Sequence, residues 1–142
     1  MSHVAKIELE VTDLCALKAA CRDQGLVFVE DQKSYAWYGR WVGDHPLPEG
    51  FSEEDLGQCD HAILVPGARY EIGVVRRPGK YHLLWDFWHE GGLEQALGPN
   101  ACRLKQAYAR SRVLTEARRR GYKVHEKRTT QGLRLTLSKR RS

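Results

Sequence analysis

The sequence predicts an α+β domain, a mostly antiparallel sheet of about five to seven strands with two main helices packed on one face. Three observations carry that prediction. Short segments of period-two alternation recur along the chain, from "KIELEV" near the start to "LRLTLS" near the end. Two stretches hold helical spacing. In mid-chain, "VVRRPGKYH" places Pro78-Gly79 at the two central positions of a tight turn between strands.

Taken in order, Ile7, Leu9 and Val11 alternate with Lys6, Glu8 and Glu10, so a first strand is expected over about 4–11. Thr12 or Asp13 can cap a helix whose Leu14, Leu17 and Cys21 share one face, with Gly25 as its stop. "LVFVE" follows as a strand. From Lys33 the periodicity loosens, and the prolines of "HPLPEG" cannot continue a ladder. The stretch of about 33–60 is therefore expected to be a long aromatic and Pro-containing insertion in a single domain spanning 1–142. Replacing 35–60 by a short Gly/Ser linker is expected to leave a folded domain. Within it, "FSEEDLG" reads as a short helix capped by Ser52, with Glu53, Glu54 and Asp55 favourably placed in its first turn.

"HAILV", "RYEIGVV" and "YHLLWDFW" are three more strands, the last two forming a hairpin. "GGLEQALGPN" reads as a flexible joint around one helical turn. Asn100 is expected to cap the longest helix, which runs to about Arg120 and stops at Gly121. On it Leu104, Ala107, Tyr108, Ser111 and Leu114 share a face, with Val113 on the other side. "YKVHEK" and "LRLTLS" close the chain as a basic hairpin. Tyr122, Val124, Leu133, Leu135 and Leu137 are expected inward, and Lys123, His125, Lys127, Arg134 and Thr136 outward. One sheet face is left for the long insertion, or a partner, to cover.

Composition narrows the function classes. With 42% hydrophobic and 29% charged residues, the 142-residue chain is too apolar for a disordered polyampholyte and too polar for a membrane protein. The start "MSHVAKIELEV" has neither the basic beginning nor the apolar run of a secretory signal. Cys15, Cys21, Cys59 and Cys102 are scattered without a C-x-x-C pair, so a reducing, cytoplasmic setting is expected. Charge is divided sharply. Residues 1–100 hold nine Lys and Arg against sixteen Asp and Glu, a net of −7, whereas residues 101–142 carry a net of +12. An acidic body with a basic end can attract polyanions, an acidic partner or its own other half.

The start "MSH", the helix "DLCALKAACRDQGL", the hairpin "YEIGVV…YHLLWDFW" and the ending "AYARSRVLTEARRRGYKVHEKRTTQGLRLTLS" together resemble the hypothetical chloroplast reading frame thirty-five family. That family is uncharacterised and is found in plastids, cyanobacteria, other bacteria and bacteriophages. "WYGRWVGDHPLPEGFSEEDLGQCDHA" departs from the short plastid type and resembles the bacteriophage version. The resemblance implies a phage or prophage origin, hence the host cytoplasm. It also implies an accessory role, because some bacterial members are encoded beside AAA-type ATPases. It transfers no activity to any residue.

Three constellations could carry function. Tyr35, Trp37, Tyr38 and Trp41, with Arg40 among them, could stack on a ligand or bind a partner; packing on the open sheet face is the first expectation and recognition the second. His82, Asp86, His89 and Glu90 lie close in sequence, and His82 and Asp86 share a strand face, yet no recognised metal-ligand spacing is present. Cys59-Asp60-His61 sets a thiol beside an imidazole, but neighbours on a strand point to opposite faces. Neither "HEGG" nor "VPGAR" matches a phosphate-binding loop.

The basic end is the strongest physical signal. Arg103, Lys105, Arg110, Arg112, Arg118, Arg119 and Arg120 line the long helix, and Lys123, Lys127 and Arg134 extend the field onto the hairpin. These features rank three readings. The first is a non-enzymatic accessory protein that binds a protein partner, of the host or phage, with an AAA-type ATPase implied by the family. The second is a nucleic-acid-binding protein using the basic end. The third is a small metal-dependent or acid–base enzyme built on His82, Asp86 and His89. No cofactor, metal or membrane is expected.

Overall fold

A computed structural model describes residues 3–129 and 132–139. Ten regular elements follow one another: β1 (Val4–Lys6), α1 (Leu14–Asp23), β2 (Val27–Val29), β3 (His61–Leu64), β4 (Glu71–Arg77), β5 (Lys80–Asp86), α2 (Leu93–Leu97), α3 (Cys102–Arg119), β6 (Tyr122–Thr129) and β7 (Gly132–Lys139). The first five strands form one antiparallel sheet in the order β1-β5-β4-β3-β2, and β6 and β7 form a separate two-stranded sheet. The α+β class is confirmed. Among the described residues no helix is long and apolar enough to cross a membrane.

Period-two alternation sorts the central strands cleanly. Ile63, Ile72, Val74, Leu83 and Trp85 turn to one face, where they meet Leu17, Ala20 and Cys21 of α1 and Leu104, Ala107 and Tyr108 of α3. Ala62, Val75 and Leu84 turn to the other, where they meet Tyr35, Phe51, Leu56 and Cys59. The second face is therefore covered by the stretch between β2 and β3, hereafter the strap.

Local signals explain most boundaries. The Asp13 side chain accepts a hydrogen bond from Ala16 N at 3.1 Å and starts α1. The β4–β5 turn pairs Arg77 with Lys80 around Pro78-Gly79, and Gly79 takes the positive φ of +79° that such a turn requires. Ser52 and Asp55 satisfy each other's backbone in a capping box at the short 3₁₀ turn Glu53–Asp55.

Four expectations change. The first strand runs as ladder only over Val4–Lys6; Leu9 N bonds back to Ile7 O at 2.7 Å, and the chain rejoins β5 at the isolated Val11–Tyr81 bridge with its register slipped. Leu93 and Leu97 anchor α2 in the core, so the segment expected to be a flexible joint is packed. Asn100 does not cap α3. It sits one residue early at φ 55°, in the left-handed region that Asn tolerates, and the fully buried Ala101, also at φ 55°, holds the cap position with no side-chain oxygen to offer.

The fourth change concerns the closing hairpin. β6 and β7 pair over their full length but add nothing to the main sheet, so the residues expected inward do not reach its core. Leu137 is 46% exposed, Val124 and Leu135 are half-buried, and the Leu133 side chain lies outside the described ones. The reason is α3, whose eighteen residues extend about 27 Å before Gly121 turns the chain back. The returning strand meets α3 and β7 instead of a sheet edge.

Candidate functional site

The strap is folded down. Tyr35 is 3% exposed, and its ring occupies the space a Cβ on Gly73 would fill, so a central strand carries glycine to let an aromatic lie flat on it. Trp37 lies against Gly57 in the same way. Trp37, Trp41 and Leu47 pack on this second cluster, and Trp41 Nε1 donates to His45 O at 2.9 Å. Tyr38 parts from the others: it joins the helix-side core, edge-on to Trp88, with the Arg40 guanidinium 5.9 Å from its ring. The aromatic quartet therefore divides between two cores and presents no continuous stacking surface.

Asp86 is fully buried and binds the chain together. Its Oδ1 accepts from His3 N at 3.0 Å and Trp88 N at 3.1 Å, and its Oδ2 accepts from Tyr38 N at 3.1 Å. One carboxylate thereby ties the chain start, the strap and the end of β5. His82, four residues back, lies about 13 Å away along the strand. It rests edge-on against Phe51, and burial, aided by Lys6, Lys80 and Arg77, holds its pKa below the ordinary imidazole value. His89 is exposed beside Trp88. The fold does not bring His82, Asp86 and His89 together, and among the described residues no group of three His, Cys, Asp or Glu side chains could hold a metal ion.

Cys59, Asp60 and His61 each serve the strap's anchorage. Cys59 Sγ donates to Gln32 O at 3.1 Å, and burial pushes its thiol up to about 11, far from a nucleophile's range. Asp60 accepts from Arg76 N, and His61 Nδ1 accepts from Asp31 N.

The basic end divides into a neutralised half and an open half. Arg110 bridges Asp23 at 2.7 Å and Glu126 at 2.6 Å, Arg112 faces Asp13 at 3.4 Å, and Glu116 serves both Arg119 and Arg120. Arg103 donates to Ala96 O, and Lys105 is half-buried. By contrast Arg118, Lys123, Lys127 and Arg134 are exposed and carry no ion pair among the described residues. Glu126 shares its ribbon face with Val124, Leu135 and Leu137, and its pairing with Arg110 turns that face toward α3. The described side chains of the face turned away are Lys123, His125, Lys127, Thr129, Arg134, Thr136 and Ser138. Its register sets Lys127 directly opposite Arg134.

A family model described as a protein of unknown function, DUF1257, matches residues 48–137. The chain belongs to the DUF1257 family. The matched stretch begins inside the strap and ends within β7, so β1, α1 and β2 lie before it. No curated protein and no solved structure matches the chain.

Sequence reasoning placed Asp86 only in the third-ranked acid–base constellation, with strand-edge hydrogen bonding as its first expectation, and overlooked Gly73. The signal for Asp86 was its place at the end of an apolar strand run, where a lone carboxylate must find donors. For Gly73 it was a glycine inside an otherwise β-branched strand.

Proposed function

We propose that this DUF1257 member is a non-enzymatic interaction protein that holds nucleic acid through its basic C-terminal end. One observation carries the reading: the outer face of the β6–β7 ribbon has Lys123, Lys127 and Arg134 exposed, no carboxylate among its described side chains, and a Lys127–Arg134 pair set directly across the strands. Like charges placed opposite each other oppose strand pairing. Acceptor groups of a nucleic acid placed against them remove that repulsion and gain two charge-assisted contacts. Arg118, one turn from the ribbon's base, extends the same field. The strap aromatics supply no competing surface, since Tyr35 is buried and Tyr38 packs elsewhere.

A second reading, partner binding, rests on the other ribbon face, where Leu137 is 46% exposed beside half-buried Val124 and Leu135. The resemblance to a phage-type member, acting in a host cytoplasm with a host or phage protein such as an AAA-type ATPase, supports this reading.

The test is a salt titration of binding to labelled nucleic acid by fluorescence anisotropy. The logarithm of affinity is expected to fall linearly with the logarithm of salt, by about 0.9 per phosphate contact on duplex and about 0.7 on single strands. Arg118→Gln with Lys123→Gln flattens the slope, whereas Lys33→Gln in the strap does not. A parent protein that fails to bind at near-physiological salt removes the nucleic-acid reading and leaves partner binding.

A further inference from the structure

We infer that the β6–β7 ribbon enters the major groove of duplex DNA with its Lys123, His125, Lys127 and Arg134 face toward the bases. The inference rests on the nucleic-acid reading above and specifies its target. The ribbon is two strands wide and, among the described residues, no further strand is laddered onto either of its long edges. Its strands lie about 4.8 Å apart, and a groove about 12 Å wide admits a two-stranded β-ribbon.

The chemistry of the face fits that groove. Its seven described side chains, Lys123, His125, Lys127, Thr129, Arg134, Thr136 and Ser138, are all of types that can form hydrogen bonds, and none is a carboxylate or an apolar group. Lys and Arg match the O6 and N7 acceptors of guanine, and Ser and Thr can serve either kind of base-edge group. Among the described residues this face carries no Trp, Tyr or Phe, since Tyr122 is on the other, and His125 is its one aromatic ring. A single strand held by stacking of successive bases on a row of rings therefore has no platform here. A-form RNA is excluded for a different reason, because its major groove is too deep and narrow for side chains to read. At the ribbon's base, Arg118, Arg119 and Arg120 are exposed where the phosphate wall of an entered groove would lie.

The experiment compares a labelled mixed-sequence DNA duplex, the RNA duplex of the same sequence, the DNA single strand, heparin and a polyglutamate peptide, using the full chain. The expected result is DNA duplex binding at least about tenfold tighter than RNA duplex. It includes protection of guanine N7 from dimethyl sulfate within the bound site. Lys127→Gln with Arg134→Gln is expected to weaken duplex binding by at least about tenfold and to abolish the protection. Both residues are exposed, and an unchanged thermal midpoint shows that the variant is folded. Equal affinity for DNA duplex, RNA duplex and heparin, or a preference for the single strand, overturns groove entry while leaving the nucleic-acid reading intact. Duplex preference untouched by the double variant also overturns it. Binding to polyglutamate alone, or to none of the probes, overturns both.

Discussion

The strap and the ribbon invert each other. Residues 33–60 make one isolated bridge, Ser34–Gln58, and one short 3₁₀ turn, yet they bury Tyr35, Phe51, Leu56 and Cys59. The β6–β7 ribbon has an unbroken register from Tyr122–Lys139 to Thr129–Gly132, yet Leu137 is nearly half exposed. Regular hydrogen bonding and burial are independent achievements. A backbone can satisfy itself with one neighbouring strand in water, while an irregular segment can be fixed by side chains that fill a sheet face and by a few buried acceptors such as Asp86.

The largest expected effect breaks that comparison at the strap. Replacing 35–60 by a Gly/Ser linker uncovers Val4, Ala62, Val75 and Leu84 and removes three large buried side chains, Tyr35, Phe51 and Leu56. Each such side chain contributes about 1.5–3 kcal/mol, so the loss rivals the whole stability of a small domain. Calorimetry is expected to show no cooperative unfolding transition. A shortened chain that keeps its transition makes the strap an addition to an independent domain, as its loosened sequence pattern first implied.

Single substitutions sharpen the contrast. Tyr35→Ala is expected to cost about 3–5 kcal/mol and Leu137→Ala under about 0.5 kcal/mol, read from chemical denaturation midpoints. Similar costs at the two sites would mean that the ribbon is as much core as the strap. Asp86→Ala follows at about 3 kcal/mol, because it strands three N–H donors at a fully buried site. Its signature in hydrogen exchange is faster exchange at His3, Tyr38 and Trp88 together, since one carboxylate serves all three.

The smallest effect is a pH dependence at the strap–sheet contact. Burial lowers the pKa of His82 in the folded chain, so the unfolded chain binds that proton first as pH falls through the ordinary imidazole value of about 6.5. Stability is therefore lost on acidification through that range and into the lowered folded value. His82→Asn is expected to shrink the fall in thermal midpoint between about pH 8 and about pH 5.5. A variant with the same fall as the parent would place the acid sensitivity elsewhere.

The guesses that succeeded concern neighbours in sequence. Asp13 three residues before Ala16, Pro78-Gly79 between two strands, and the helical spacing of Leu104, Ala107, Tyr108, Ser111 and Leu114 were all legible. The candidate site was less so. Its charges could be counted, but Arg110, Arg112, Arg119 and Arg120 are met by carboxylates within the fold while Lys123, Lys127 and Arg134 meet none among the described residues. Asp23 is eighty-seven residues from Arg110, and no local pattern encodes that meeting.

By itself, then, the sequence determined the period-two faces of the strands, the caps and stops of α1, the β4–β5 turn and the acidic-to-basic division of the chain. These depend on steric preferences and hydrogen bonds acting over a few residues. Only the tertiary structure decided that the strap closes the second sheet face, that Asp86 is an acceptor for three distant N–H groups, and that the ribbon stands apart from the main sheet. Such outcomes follow from which apolar surfaces meet once the chain is compact: Gly73 admits the Tyr35 ring, and α3 carries the last hairpin past the sheet before its strands can join an edge.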